Sequence, residues 1–237
     1  MADRRQNLPD VLRGFSLCSM ILYHALWDLV YLAGVDLPWY RTTAGFLWQQ
    51  SICWCFILLS GFCRGMSRRP LVHGLRLLAC GLLIRVVTLF ALPAAPIRFG
   101  VLTLLGASAL LGAALDPFAR RVPPAALLLG CAALFALCYR IPQGLFAGIT
   151  LPRALYRSEA TAFLGFPPPA FASSDYFPLL PWFFLFGTGD ALGRLLRGKT
   201  PPVPAVQPFA WLGRRSLPVY LLHQPLLYGA FLLAGLF

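Results

Sequence analysis

The chain has 237 residues, of which 59% are hydrophobic, 14% aromatic and 12% charged. A soluble domain carries about twice that charged fraction, so a water-soluble fold is excluded and the chain belongs in a bilayer. The apolar runs are continuous rather than alternating, which excludes a β-barrel, and the formal charge of +12 sits in loops and calls for no nucleic-acid partner.

The expected fold is therefore all-α, a polytopic membrane helix bundle forming a single domain over residues 1–237. Seven spans are predicted: 11–33, 42–62, 74–92, 99–115, 124–139, 177–196 and 212–237. No signal-peptide pattern precedes the first of them. Arg4, Arg5, Arg13, Arg64, Arg68, Arg69, Arg76, Arg120, Arg121, Arg194, Arg197, Lys199, Arg214 and Arg215 fall on one side of this arrangement. Arg41, Arg98, Arg140, Arg153 and Arg157 fall on the other, and Arg85 lies inside the third span. That 14-to-5 division predicts a cytoplasmic N-terminus and an external C-terminus, in a multi-pass protein of the cell (inner) membrane.

The first span, DVLRGFSLCSMILYHALWDLVY, carries Asp10, Arg13, His24 and Asp28. At 100° per residue, Arg13 lies about −20° from His24, and Asp10 and Asp28 each about +40°. Lipid does not tolerate such a stripe, so it faces other helices or a cavity, where an intramembrane charge points to function. The bland reading is a pair of interfacial charges and a structural His24–Asp28 hydrogen bond. Arg85, in the third span, needs a buried carboxylate or a ligand anion. Asp190 lies in the inner half of the sixth span, and Ser216, Tyr220 and His223 share one face of the seventh.

The other features read as structural. Seven cysteines without a CxxC pair give neither a disulfide framework nor a metal site. The glycines of GTGDALG follow no strand, so close helix packing accounts for them better than a dinucleotide fingerprint. His73, among arginines, is an ordinary solvated residue. The connection from Arg140 to Tyr176, with prolines at 167 to 169, is either a lid over a site or a tether. No GxSxG, HExxH or nucleotide loop is present, which removes hydrolase, zinc-protease and ATP-driven pump readings.

An imidazole beside a carboxylate one turn away suits general-base chemistry or transient acyl transfer, with Asp28 orienting the ring. DVLRGFSLCSMILYHALWDLVY, FILLSGFCRG, SSDYFPLLPWFFLFGTGDALGR and WLGRRSLPVYLLHQPLL resemble, in order, stretches of the heparan-α-glucosaminide N-acetyltransferase catalytic-domain family. The first and last also resemble the acyltransferase-3 family, with its D-x-x-R-G opening. The resemblance implies transfer of an acyl group, typically acetyl from cytoplasmic acetyl-CoA, to a sugar acceptor across the membrane. The loop after the first span, AGVDLPWYRTT, has no histidine where the family's lysosomal member has one, so catalysis falls to His24. Thr103, in FGVLT, stands where bacterial relatives have a histidine, and Arg215-Ser216 replaces an Asn-Ser pair.

The reading is a membrane-embedded acyltransferase with acetyl-CoA as donor substrate, a glycan or small-molecule acceptor, no metal, and a homo-oligomer left open. His24 and Asp28 are the catalytic candidates, and Asp10, Arg13, Arg85, Ser216, Tyr220 and His223 the donor-binding ones. Two rivals stand beside it: a proton-coupled permease using His24–Asp28 as a relay, and a non-catalytic assembly partner in which the polar residues hold helices together.

Overall fold

The computed structural model describes residues 8–67, 69–93, 95–197, 199 and 207–236. Arg4, Arg5 and Arg68 of the charge division lie outside the described residues. Nine α-helices are assigned among the described residues: α1 Leu8–Tyr31, α2 Thr43–Arg64, α3 Pro70–Ala91, α4 Val101–Ala119, α5 Pro124–Cys138, α6 Glu159–Ala162, α7 Leu179–Leu195, α8 Gln207–Arg214 and α9 Ser216–Leu233. One short antiparallel pair, β1 Leu145–Phe146 with β2 Ile149–Thr150, is the whole described sheet content. The chain is an all-α polytopic membrane protein.

Five helical segments among the described residues are long and apolar enough to cross a membrane: Thr43–Arg64, Pro70–Ala91, Val101–Ala119, Pro124–Gln143 and Ser216–Leu233. Helix α1 carries the polar stripe, and α7 has 17 residues. The predicted seventh span began at 212, but Leu212 belongs to α8, and the chain breaks at Arg215 before α9 starts.

Proline sets several helix starts. Pro70 and Pro124 each occupy the first turn, where the missing N–H has no intrahelical role and the fixed φ suits a helix. Helix α1 ends on a glycine. Gly34 has φ +70, and Val35 N–H donates back to Leu29 O at 2.9 Å, closing the helix through the left-handed residue that glycine adopts without strain.

The chain divides into two compact units, with the boundary inside α2 after Phe56. The first holds α1, the opening of α2, α8 and α9. Leu17, Met20 and Ile52 form its buried core, with Tyr23, Trp48, Leu212 and Val219 packed around them. Helix α1 crosses α8 closely, because Gly14 meets the Phe209 backbone and Gly213 meets the Asp10 backbone. In bilayers, small residues at such crossings let backbones approach and gain dispersion contact.

The second unit holds the end of α2 together with α3 to α7. Here α5 packs on α7, α3 on α4, and α4 on α7. The glycines of GTGDALG are packing residues: a Cβ on Gly189 would lie 2.1 Å from Leu58 O, and Gly193 abuts the Phe62 backbone. None of the seven cysteines is in a disulfide.

The Arg140–Tyr176 connection is folded rather than loose. Tyr156 donates to Ile141 O, and Tyr176 donates to Ala162 O at 2.6 Å. Its last residues are tied to the entrance of α4: Arg98 N–H donates to Ser173 Oγ at 2.8 Å, and Val101 N–H to Asp175 Oδ2 at 3.0 Å.

Candidate active site

In the first unit, α1 and α9 bring together four polar residues that lie far apart in sequence. The His24 and His223 rings are 4.9 Å apart at their centroids, tilted by 54°. Gln224 Nε2 donates to Asp28 Oδ1 at 2.8 Å. His223 Nδ1 is 2.6 Å from Tyr220 O. Asp28 is fully buried, His223 is 9% exposed, and His24 is partly exposed. Helix geometry explains the pairing, since His24 and Asp28 are one turn apart on α1, and Gln224 follows His223 on α9.

The predicted stripe is present, with its internal pairing changed. Asp28 is held by Gln224, and no hydrogen bond joins it to His24 among the described residues. Asp28 Oδ2, His223 Nε2 and Gln224 Oε1 are buried and meet no hydrogen-bond partner there. Gln224 was missed because amides are not ionisable and so did not stand out in an apolar run.

The other predicted donor-site residues are spread more widely. Asp10 is buried at the α1–α8 crossing, and Arg13 is partly exposed one turn further along α1. Ser216 opens α9, and the Tyr220 ring lies 5.6 Å from that of His223. Arg85 is exposed on α3, a helix long and apolar enough to cross a membrane; its guanidinium lies 5.5 Å from the Phe99 ring centre, and no carboxylate pairs with it among the described residues.

An aromatic group adjoins the histidines. Trp48 Nε1 donates to Ser19 Oγ at 2.8 Å, and Tyr40 donates to Tyr23 O at 3.0 Å. Burial, reinforced by the hydrogen bond with Tyr23, pushes the Tyr40 phenol far above its usual range, so it stays a neutral donor.

The second unit contains a different charged cluster. Arg64 donates to Asp190 Oδ1 at 3.0 Å, Asp190 Oδ2 at 2.9 Å, Asp116 Oδ1 at 2.7 Å and Gly112 O at 3.3 Å. Arg194 donates to the same two carboxylates, and Arg120 caps Asp116 from outside. A cavity of about 410 Å³ opens beside them, with Arg197 and Ser67 also on its wall. This network joins the ends of α2, α4 and α7, and it supplies the partner that Asp190 needs. At the other end of α4, burial lifts the Asp175 carboxyl to about 6 while the Val101 N–H pulls it back. No group of three or more His, Cys, Asp or Glu among the described residues is placed to hold a metal ion.

The model of the heparan-alpha-glucosaminide N-acetyltransferase catalytic domain matches residues 5–225. The chain belongs to this family. The match runs through α1 and into α9, so both histidines, Asp28 and Gln224 lie inside the N-acetyltransferase catalytic region. No curated protein and no solved structure matches the chain. Membership in a catalytic-domain family points to a membrane acetyltransferase.

Proposed function

We propose that the protein is a membrane-embedded acyltransferase that moves an acetyl group from cytoplasmic acetyl-CoA to a hydroxyl or amine of an acceptor, such as a sugar, on the outer face. The observation that carries this reading is the cluster of His24, His223, Asp28 and Gln224, with Asp28 and His223 buried, within the region that the family model matches. An imidazole provides the general base that acyl transfer needs, and a carboxylate one turn away stabilises positive charge on it.

The topology in this proposal has seven spans, formed by α1 to α5, α7 and α9, with the N-terminus in the cytoplasm. Arg13 then lies toward the cytoplasmic end of α1, about 16 Å of helix rise from His24. It meets the phosphates of coenzyme A, with Asp10, Ser216 and Tyr220 alongside, while His24 stands at the thioester.

The test uses purified protein in lipid nanodiscs. Acetyl-CoA should bind in calorimetry, and Arg13→Ala should weaken it by about 1.5–3 kcal/mol, the range for a lost charge-assisted contact. Single-turnover transfer to a panel of amino sugars and polyols should depend on His24. Protein that neither binds acetyl-CoA nor turns over its thioester overturns the reading. A reporter fused after Phe237 should be active only as an external reporter, and cytoplasmic activity there overturns the seven-span arrangement.

A further inference from the structure

The hydrogen bonding of His223 carries a further step, which rests on the acyltransferase reading. Its Nδ1 lies 2.6 Å from the main-chain oxygen of Tyr220, and a carbonyl oxygen only accepts. Nδ1 therefore carries the proton, and in the neutral ring the lone pair sits on Nε2. That Nε2 is buried without a donor among the described residues, as are Asp28 Oδ2 and Gln224 Oε1. All three atoms are acceptors in these states. Leaving a buried acceptor unmet destabilises a fold; of the three, His223 Nε2 and the Asp28 carboxylate can take a proton and Gln224 Oε1 only a hydrogen bond, so two proton-accepting groups meet in one cluster.

The two histidines are not equivalent. His24 is partly exposed, whereas His223 is buried. At a centroid separation of 4.9 Å, a modest turn of the His24 ring brings one of its nitrogens toward Nε2 of His223. His223 is held by its own helix through Tyr220 O, whereas no hydrogen bond holds the His24 ring among the described residues, so His24 is the ring that can turn to meet a substrate and His223 offers a fixed lone pair beside it.

We infer that His24 and His223 form a two-imidazole proton relay serving an acceptor that bears a hydroxyl or an amine. His24 takes the acceptor's proton as its oxygen or nitrogen attacks the thioester carbonyl carbon, and passes the proton on its other nitrogen to Nε2 of His223. The carbon–sulfur bond breaks and the sulfur leaves with the electron pair. The proton returns through the same two rings to that sulfur, so both histidines end as they began. Asp28, fixed by Gln224, supplies negative charge while the proton is held. His24 is the catalytic residue in this scheme, and His223 acts through it.

Two measurements test the relay. His223→Gln should lower kcat by about a hundredfold, the lower end of the span of general acid–base effects. Acetyl-CoA affinity and KM for the acceptor should stay within about twofold, whereas loss of a merely structural residue would move thermal stability and KM together. The second measurement needs no substitution in the site. The chain has three histidines, so His73→Gln leaves the two of interest. Nitrogen-15 NMR of that protein should show one ring locked with its proton on Nδ1. A folded His223→Gln protein with unchanged kcat overturns the relay, and so does a proton found on Nε2 of His223. Wild-type protein that fails to bind acetyl-CoA would instead overturn the acyltransferase reading on which the relay rests.

Discussion

Removing Arg64 tests the charged cluster of the second unit most directly. Its guanidinium makes four hydrogen bonds, three of them to carboxylates, and its side chain is 10% exposed. Truncating one partner of a buried ion pair typically costs about 3–5 kcal/mol, because the remaining charges stay desolvated without it. Here Arg194 still donates to both Asp190 and Asp116, and Arg120 to Asp116, which places Arg64→Ala near the lower end, about 3 kcal/mol. For a chain of this size that is roughly 6–12 °C in Tm. Arg194→Ala should cost less, since Arg64 keeps both carboxylates engaged. Arg120→Ala should stay within about 1 kcal/mol, because its side chain is 75% exposed and exposed pairs contribute little. Thermal unfolding of the three variants in one lipid preparation gives the ranking. An Arg120→Ala loss as large as that of Arg64→Ala would refute the burial argument, as would an unchanged Arg64→Ala.

Gly189→Ala places a Cβ 2.1 Å from Leu58 O and should destabilise the α2–α7 crossing by about 1–3 kcal/mol in the same assay, while Gly130→Ala, where nothing lies within 4 Å, should be neutral or stabilising. Asp28→Asn keeps an acceptor for Gln224 and removes the charge, so transfer should fall with little change in Tm; Gln224→Leu should cost about 1–3 kcal/mol of stability by orphaning Asp28. The Asp175 carboxyl sits at about 6 in the folded chain, above the usual value of 3.8, so its contribution to stability is complete below pH 3.8 and is lost as pH rises through 6. Hydrogen exchange in residues 95–101 should therefore slow between pH 7 and pH 5, after correction for intrinsic rates, and Asp175→Asn should abolish that difference.

What the sequence disclosed follows from the range over which each signal acts. Helix periodicity is local, so the Asp10–Asp28 stripe and the face shared by Tyr220 and His223 were readable from spacing alone. Proline at the first turn is local too: Pro124 opens α5 where the fifth span was predicted to begin, whereas the third span was placed at 74 and α3 starts four residues earlier, at Pro70. Partners across the fold are not local. Asp190 was expensive on sight; one partner, Arg194, is its i, i+4 neighbour on the same helix, but the other lies 126 positions away, and Arg64 looked like one more loop charge. Arg85 differs again: its position in an apolar run suggested burial, whereas its side of α3 is exposed and its guanidinium lies 5.5 Å from the Phe99 ring centre.

The same distinction explains the candidate site. His24 and Asp28 form a readable i, i+4 pair on one helix, and a hydrogen bond between them was the natural expectation. Asp28 bonds instead to Gln224, 196 positions away, because α9 presents an amide at that level of α1. The substitution changes the chemistry. A carboxylate bound to an imidazole fixes that ring's tautomer, whereas a carboxylate bound to an amide is simply held in place, and the tautomer of His223 is fixed by its own helix through Tyr220 O. In the proposed relay, orientation and charge, which one Asp supplies to one His in a triad, are divided between a main-chain carbonyl and a remote carboxylate. A triad-like reading therefore predicts that Asp28→Asn scrambles the histidine tautomer, whereas the observed bonding predicts that it leaves the Nδ1 proton of His223 in place and removes charge alone.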